Sequence, residues 1–361
     1  MKIVGTIVEY NPLHNGHIHA INEIKRLSQA DILVAILSGN FTMRGDLSIF
    51  DKFEKTRQAL KAGIDLVIEL PFVCAVQNAD IFAKNAIQLL HLAKVSELWI
   101  GSESNNSTLY EQCYQSWVSP VSQEKIKELL SLGKSYKEAT AAIINLPSND
   151  LLGFSYFKAI QEANAPISLH TIKRIGSYDS LEAKEYASAY AIRNDLSLME
   201  NYCPFYVNQN LIRDSQLLFP YLKYSIHCSS TSELRDIFFV EEGLENKVKD
   251  IYSYSSLEEF ISYLSTKRYT KSRIQRMLTY ILFNIKKQDI THDISFLRVL
   301  GYSKKGQSYL NTIKKDVTLF TNIKEGLHPI LDIELKITKI LDMIYASSTL
   351  KEEQGKPQEI N

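Results

Sequence analysis

Four short apolar runs early in the chain, residues 2–8, 31–37, 65–70 and 97–100, alternate with stretches of helical periodicity at 16–28, 51–62 and 77–93. Such alternation predicts βαβ units and a mainly parallel sheet. In the first helix the spacing turns Ile18, Ile21, Ile24 and Leu27 inward. In the second, Asp51 suits the N-cap and Gly63 the stop. Sheets of this kind hold ligands beyond the carboxyl ends of their strands. Residues 9–17, 38–45 and 101–103 leave the strands there.

From about 107 to 164 the pattern is helical, interrupted at Pro147-Ser148-Asn149-Asp150. A further strand is expected over 167–175 and a helix over 181–194. Beyond Tyr202-Cys203-Pro204 no strand alternation recurs, so the remainder reads as helices, with a charged, disordered tail at 351–361. The expected fold is therefore α/β: a Rossmann-like parallel sheet in residues 1–200, followed by a mainly α-helical domain in residues 201–361.

Lys plus Arg balances Asp plus Glu at 41 each, so no global field draws the chain to nucleic acid or membrane, although a local basic face remains open. Cys74, Cys113, Cys203 and Cys228 stand far apart, which predicts reduced thiols in the cytoplasm rather than a zinc site or disulfide framework. The opening apolar run meets Glu9 and Asn11 too soon for a signal peptide. No run approaches the roughly 20 apolar residues of a membrane span.

The chemistry concentrates in Glu9-Tyr10-Asn11-Pro12-Leu13-His14-Asn15-Gly16-His17, between the first strand and the first helix. A helix start offers unpaired N–H groups and the positive end of a dipole, the setting for a phosphate. Asn11-Pro12 turns the chain off the strand. Gly16 lets phosphate oxygens approach the backbone. His14 and His17, three apart, can face one ligand and donate to charge that builds on a phosphoryl group.

His-x-Gly-His here resembles the signature of the nucleotidyltransferase (HUP-type) superfamily. With Ser38-Gly39-Asn40-Phe41, Arg44-Gly45, the 65–71 run Asp-Leu-Val-Ile-Glu-Leu-Pro, Gly101-Ser102-Glu103, Pro147-Ser148-Asn149-Asp150, Lys173-Arg174-Ile175-Gly176 and Arg298-Val299-Leu300-Gly301, the chain is similar to the bacterial tRNA(Met) cytidine acetate ligase family along most of its length. The resemblance implies two steps. Acetate and ATP give acetyl-adenylate and pyrophosphate; the acetyl group then passes to the wobble cytidine of elongator tRNA(Met), giving N4-acetylcytidine and AMP. It implies His14 and His17 as catalytic residues. It implies an ATP-binding loop of Ile7, Val8, Glu9, Tyr10, Asn11, Pro12, Leu13, His14, Asn15, Gly16, His17, Ile18, His19 and Ala20, completed by Gly101, Asn149, Arg174 and Ile175. Mg²⁺ can accompany the ATP, and no protein metal centre is expected.

Two departures stand out. Met43 occupies a place before Arg44 where the family usually has Gln. Ser188-Ala189-Tyr190-Ala191-Ile192-Arg193 carries Tyr where a superfamily phosphate motif has Thr. Arg44 and Arg193 are candidate phosphate contacts. Each pocket residue also has a plainer reading: Asn149 as a helix cap, Gly101 as a turn glycine, Arg174 and Arg44 as surface charges, and His170 as a structural strand residue.

For RNA, the expected footprint is Lys267, Arg268, Lys271, Arg273 and Arg276, with Lys286 and Lys287, around Tyr269 and Tyr280. Such a face can neutralise phosphates while an aromatic ring stacks a base. A solvated helix face fits the same residues. Alternatives to the tRNA ligase are another His-x-Gly-His enzyme, either an adenylyltransferase or an acetate ligase loading a protein thiol, and a nucleotide-sensing module without turnover. The residues do not specify an oligomeric state.

Overall fold

A computed structural model describes residues 1–134, 136–174, 186–205, 209–241, 243–291 and 294–360. Strands β1 (Ile3–Val8), β2 (Ile32–Ser38), β3 (Leu66–Leu70), β4 (Glu97–Ser102) and β5 (Ser168–Lys173) run parallel in the order β5-β4-β1-β2-β3. Every residue of β2 and β3 is buried, as both-face coverage by crossover helices requires. Helix α1 (Asn15–Ser28) follows β1, and α2 (Lys52–Lys61) follows β2. Asp51 caps α2 by accepting from Phe53 N and Glu54 N, and Gly63 turns the chain at φ +102°. Ile21 and Ile24 are buried as expected; Leu27, in the last turn of α1, is exposed instead.

The second half differs from its sequence reading in two places. Strand β6 (Phe296–Ser303) joins β3 antiparallel, and β7 (Thr318–Phe320) and β8 (Gln358–Ile360) pair with β6. The parallel sheet is thus extended by strands from beyond residue 200. The first six residues of β6 are all buried, which removes the polar alternation that marks a half-exposed strand. The tail is not disordered: Leu350–Gln354 is helical, and Glu353 is fully buried. It is ordered because the interior offers its charge partners.

Those partners form a dry ionic cluster beneath the Gly39 turn. Lys52 Nζ lies 2.6 Å from Glu69, 3.2 Å from Glu334 and 2.5 Å from Glu353. Arg298 lies 3.2 Å from Glu353 and 3.9 Å from Glu69. Burial, reinforced by the Glu334 and Glu353 carboxylates, raises Glu69 to about 8 against the pull of Lys52 and Arg298. A protonated Glu69 leaves two cations facing two carboxylates, a neutral set. Burial works to discharge Lys52, but Glu353, Glu69 and Glu334 outweigh it and keep the ammonium. Members of the set come from α2, β3, β6 and the Pro329–Tyr345 and Leu350–Gln354 helices, so both halves of the chain meet here.

Candidate active site

The middle one of the five parallel strands, β1, ends at the histidine turn. Tyr10 adopts φ 45° and the Asn11–Pro12 peptide is cis. His14 is the N-cap of α1: its Nδ1 accepts from Gly16 N at 3.1 Å. His17 reaches back, its Nδ1 accepting from His14 N at 3.3 Å. A Cβ on Gly16 would stand 2.9 Å from the His14 ring, so glycine here makes room for the imidazole itself. The two rings lie 3.8 Å apart, with the Tyr10 ring 5.1 Å from His17.

Because both Nδ1 atoms accept, each neutral ring carries its proton on Nε2. Burial, helped by the charges of Arg174 and Arg193, pushes His14 down to about 4. Burial, then His14 and Arg174, pushes His17 well below its ordinary value. The turn therefore offers two neutral N–H donors, with the positive charge supplied by neighbouring arginines.

A second group gathers at the ends of β4 and β5. Asn149 Oδ1 accepts from Arg174 at 3.3 Å, and Asn149 Nδ2 donates to Glu103 at 2.6 Å. Asn149 thus serves a side-chain network and makes no cap hydrogen bond. A Cβ on Gly101 would sit 3.1 Å from Arg174 Cγ. Asp150 accepts from Ser102 Oγ, Glu103 N, Ser104 N and Tyr110 OH. Burial works to raise its pKa, but these bonds prevail and lower it. Asp150 thereby holds the loop after β4. Ile175 lies outside the described residues.

The third group is the loop after β2, where Phe41 and Leu47 bridge. Its residue Met43 donates N–H to Glu9 Oε1 at 2.7 Å. Gly45, at φ +88°, brings its backbone against Arg276, where a Cβ would meet Arg276 main-chain atoms at 2.9 Å. Thr279 Oγ1 donates to Gly45 O, and Arg276 to Met43 O. The Lys271–Leu282 helix thus fixes the loop carrying Arg44. Arg44 acts electrostatically on Glu9 and Asp46. Arg193 donates to Asn11 O at 2.6 Å, bracing the turn, and its charge reaches both His14 and Asp46. Ser188 caps the short helix Ala189–Asn194, and Tyr190 is exposed.

The rest of the 7–20 segment is scaffold. Leu13 is buried, Ile7 packs against one core cluster, and Val8, Ile18 and Ala20 pack against another. Asn15 donates to Asn201 O, and His19 lies 6.2 Å from Tyr186. His170 stacks on Trp99 at 4.8 Å, a structural position.

The basic footprint divides. Lys267, Arg268 and Lys271 are exposed, and Arg268 and Arg273 flank the half-buried Tyr269 ring at 5.3 and 5.1 Å. Arg273 and Tyr269 both engage Glu241. Lys286 is half-buried, and Lys287 donates to Arg235 O. Tyr280 does not belong with them: it is fully buried, facing Gln77 and Val76, because its helix turns that side to the core.

Sequence reading missed Asp46 and Lys55, and gave Glu103 and Asp150, which lie in the quoted motifs, no role. Lys55 Nζ donates to Glu9 O, Ser38 O and Ser48 Oγ at 2.9, 2.8 and 3.1 Å, tying together the ends of β1 and β2. Burial draws its pKa down to about 7, while three acceptors suit the three protons of an ammonium. The signal was an α2 with charged residues on every face, improbable for a helix this buried unless its charges are paired. Among the described residues no cluster of three or more His, Cys, Asp or Glu could hold a metal, and no helix is long and apolar enough to cross a membrane.

Residues 1–356 match the HIGH Nucleotidyl Transferase family. The chain is similar to the tRNA(Met) cytidine acetate ligase of Oceanobacillus iheyensis, 38% identical with 94% of each chain covered. It is 35% identical to that of a Geobacillus species, with 99% of each covered. It superimposes on apo Thermotoga maritima TmcAL with a TM-score of 0.87 at 26% identity, all of both chains covered. With the same protein bound with alpha-thio ATP the TM-score is 0.86 at 26% identity, covering 99% of this chain and 97% of that one.

Proposed function

Because this chain belongs to the tRNA(Met) cytidine acetate ligase family of HIGH nucleotidyl transferases, we propose that it is an ATP-dependent ligase, activating acetate as acetyl-adenylate and acetylating the wobble cytidine of elongator tRNA(Met). The observation that carries this reading is the His14–His17 pair: two neutral imidazole donors at a helix start, with Arg174 and Arg193 beside them. ATP brings the negative charge, so donors that are themselves uncharged can tighten on the α-phosphate as charge builds there. Gly101, Asn149 and Arg174 line the nucleotide side; Arg44 and Arg193 attend the phosphates. Ile7 to Ala20 supplies the loop and its scaffold.

Residues 1–200 carry activation and residues 201–361 the tRNA platform, centred on Lys271, Arg273 and the Tyr269 ring. Arg276 acts through the Arg44 loop. A cytoplasmic enzyme follows from an RNA substrate. The test supplies labelled acetate, ATP and elongator tRNA(Met), and locates the label after RNA digestion. Label in N4-acetylcytidine is expected, with transfer more salt-sensitive than acetate-dependent pyrophosphate release, since tRNA binding releases counterions. Label on a protein thiol and none in RNA would overturn the reading.

A further inference from the structure

Resting on that reading, we propose that Glu9 is the general base of the second step, taking the proton from the cytidine N4 amine as it attacks the acetyl-adenylate. Glu9 directly follows β1 and precedes Tyr10, whose ring lies 5.1 Å from that of His17. Met43 N holds Oε1 at 2.7 Å and so fixes the group's orientation. Among the described residues Oε2 accepts no hydrogen bond. The Tyr156 hydroxyl, on the Ser148–Glu162 helix, likewise has no hydrogen-bond partner among them, and Glu9 acts on it electrostatically. Two polar groups without protein partners thus border the end of β1.

Position separates Glu9 from the histidine pair. Alternate residues of β1 face opposite sides of the sheet. Val4, Val8 and Tyr10 pack with α1, whereas Ile3 and Ile7 pack with the other core, which Met43 and Tyr156 share. Glu9 continues that second row, so it sits under the Arg44 loop, across the strand end from the histidines. Its charged surroundings are Lys55 from α2 and Asp46 and Arg44 from the loop; Tyr156 completes the wall. Burial raises the carboxyl's pKa against the Met43 N–H, Lys55 and Arg44, which strengthens the carboxylate as a proton acceptor.

The step balances. N4 attacks the acetyl carbonyl carbon and a C–N bond forms. The bond from that carbon to the phosphate oxygen breaks, and AMP leaves with its electron pair. The N4 proton passes to Glu9 and then to water. An exocyclic amine whose lone pair is delocalised into its ring needs this assistance.

The experiment forms labelled acetyl-adenylate on the enzyme, adds tRNA(Met) and follows a single turnover. Glu9→Gln should slow transfer by about a hundredfold or more, at least about tenfold beyond whatever it costs adenylate formation. Wild-type transfer should fall as pH drops through the raised carboxyl pKa, and this acid limb should vanish in Glu9→Gln. Glu9→Asp, which keeps a base on a shorter arm, should transfer slowly and retain the limb. Equal slowing of both steps, transfer within about threefold of wild type, or an unchanged acid limb in Glu9→Gln overturns the assignment. If Glu9→Gln fails to fold, loss of the limb in Glu9→Asp does the same. Wild-type enzyme that labels no RNA overturns the ligase reading and the base with it.

Discussion

At the start of α1, two half-buried histidines give up their charge; beneath the Gly39 turn, a fully buried lysine keeps its own. Desolvation opposes charge in both places. The difference lies in the partners. His14 and His17 face arginines and accept from backbone N–H groups, an environment that rewards the neutral ring. Lys52 faces three glutamate carboxyl groups, all no more than 3% exposed. One region is completed within the protein. The other is left for an anion to complete. Burial alone therefore does not say where a ligand binds; the sign of what surrounds the buried group does.

The largest expected effect breaks the closed region. Lys52→Met removes the shared cation and leaves carboxylates buried beside Arg298, which should cost about 3–5 kcal/mol of stability. Urea unfolding measures it, and a loss below about 1 kcal/mol would show the cluster to be better solvated than its geometry implies. Next comes the open region. His17→Ala should lower adenylate formation by about a hundredfold, because one preorganised donor is lost, and should cost about 1 kcal/mol in unfolding with the capping bond from His14 N. Near-normal acetate-dependent pyrophosphate release from the folded variant would remove His17 from catalysis.

The smallest effect sharpens the contrast through pH. His14 falls from 6.5 to about 4, so the unfolded chain binds more protons there, and its contribution to stability, present above pH 6.5, is lost as pH falls toward 4. Glu69 rises from 4.5 to about 8, so its contribution is present below 4.5 and is lost as pH rises toward 8. Urea midpoints across this range should show two opposing slopes, the histidine slope reduced by His14→Asn, with His17 supplying the remainder, and the other abolished by Glu69→Gln. Saturating ATP should flatten the histidine slope alone, since phosphate charge offsets the cost of protonating the rings.

These regions were unequally legible in the sequence. The histidine turn could be read because its parts are consecutive: strand, Asn-Pro, His-x-Gly-His and helix lie within thirty residues, and backbone geometry alone brings His14 and His17 together. The closed cluster could not, because Lys52 and Glu334 are 282 residues apart and nothing local marks either as buried. The same reason hides β8 and the ordered tail, whose polar residues look solvated until Arg298 and Lys52 are placed beside Glu353. Tyr280 was misjudged because a tyrosine among lysines and arginines on a helix can face either way. Glu9 stood in the motif, yet only the loop from β2 shows which of its oxygens is engaged.

The separation between Lys52 and Glu334 also sets a schedule for the nascent chain. At about 5–20 residues per second, translation takes some 15–60 seconds to bring the later glutamate out after the lysine. For most of that interval β3 has no β6 beside it, and the lysine has only Glu69. The first strands can pair early, but the floor beneath the Gly39 turn stays unfinished until the last helices emerge. A prematurely terminated product thus carries the whole His-x-Gly-His segment on an open-edged sheet, with an uncompensated charge inside it. The floor under the Gly39 turn closes only once Glu334 and Glu353 have left the ribosome.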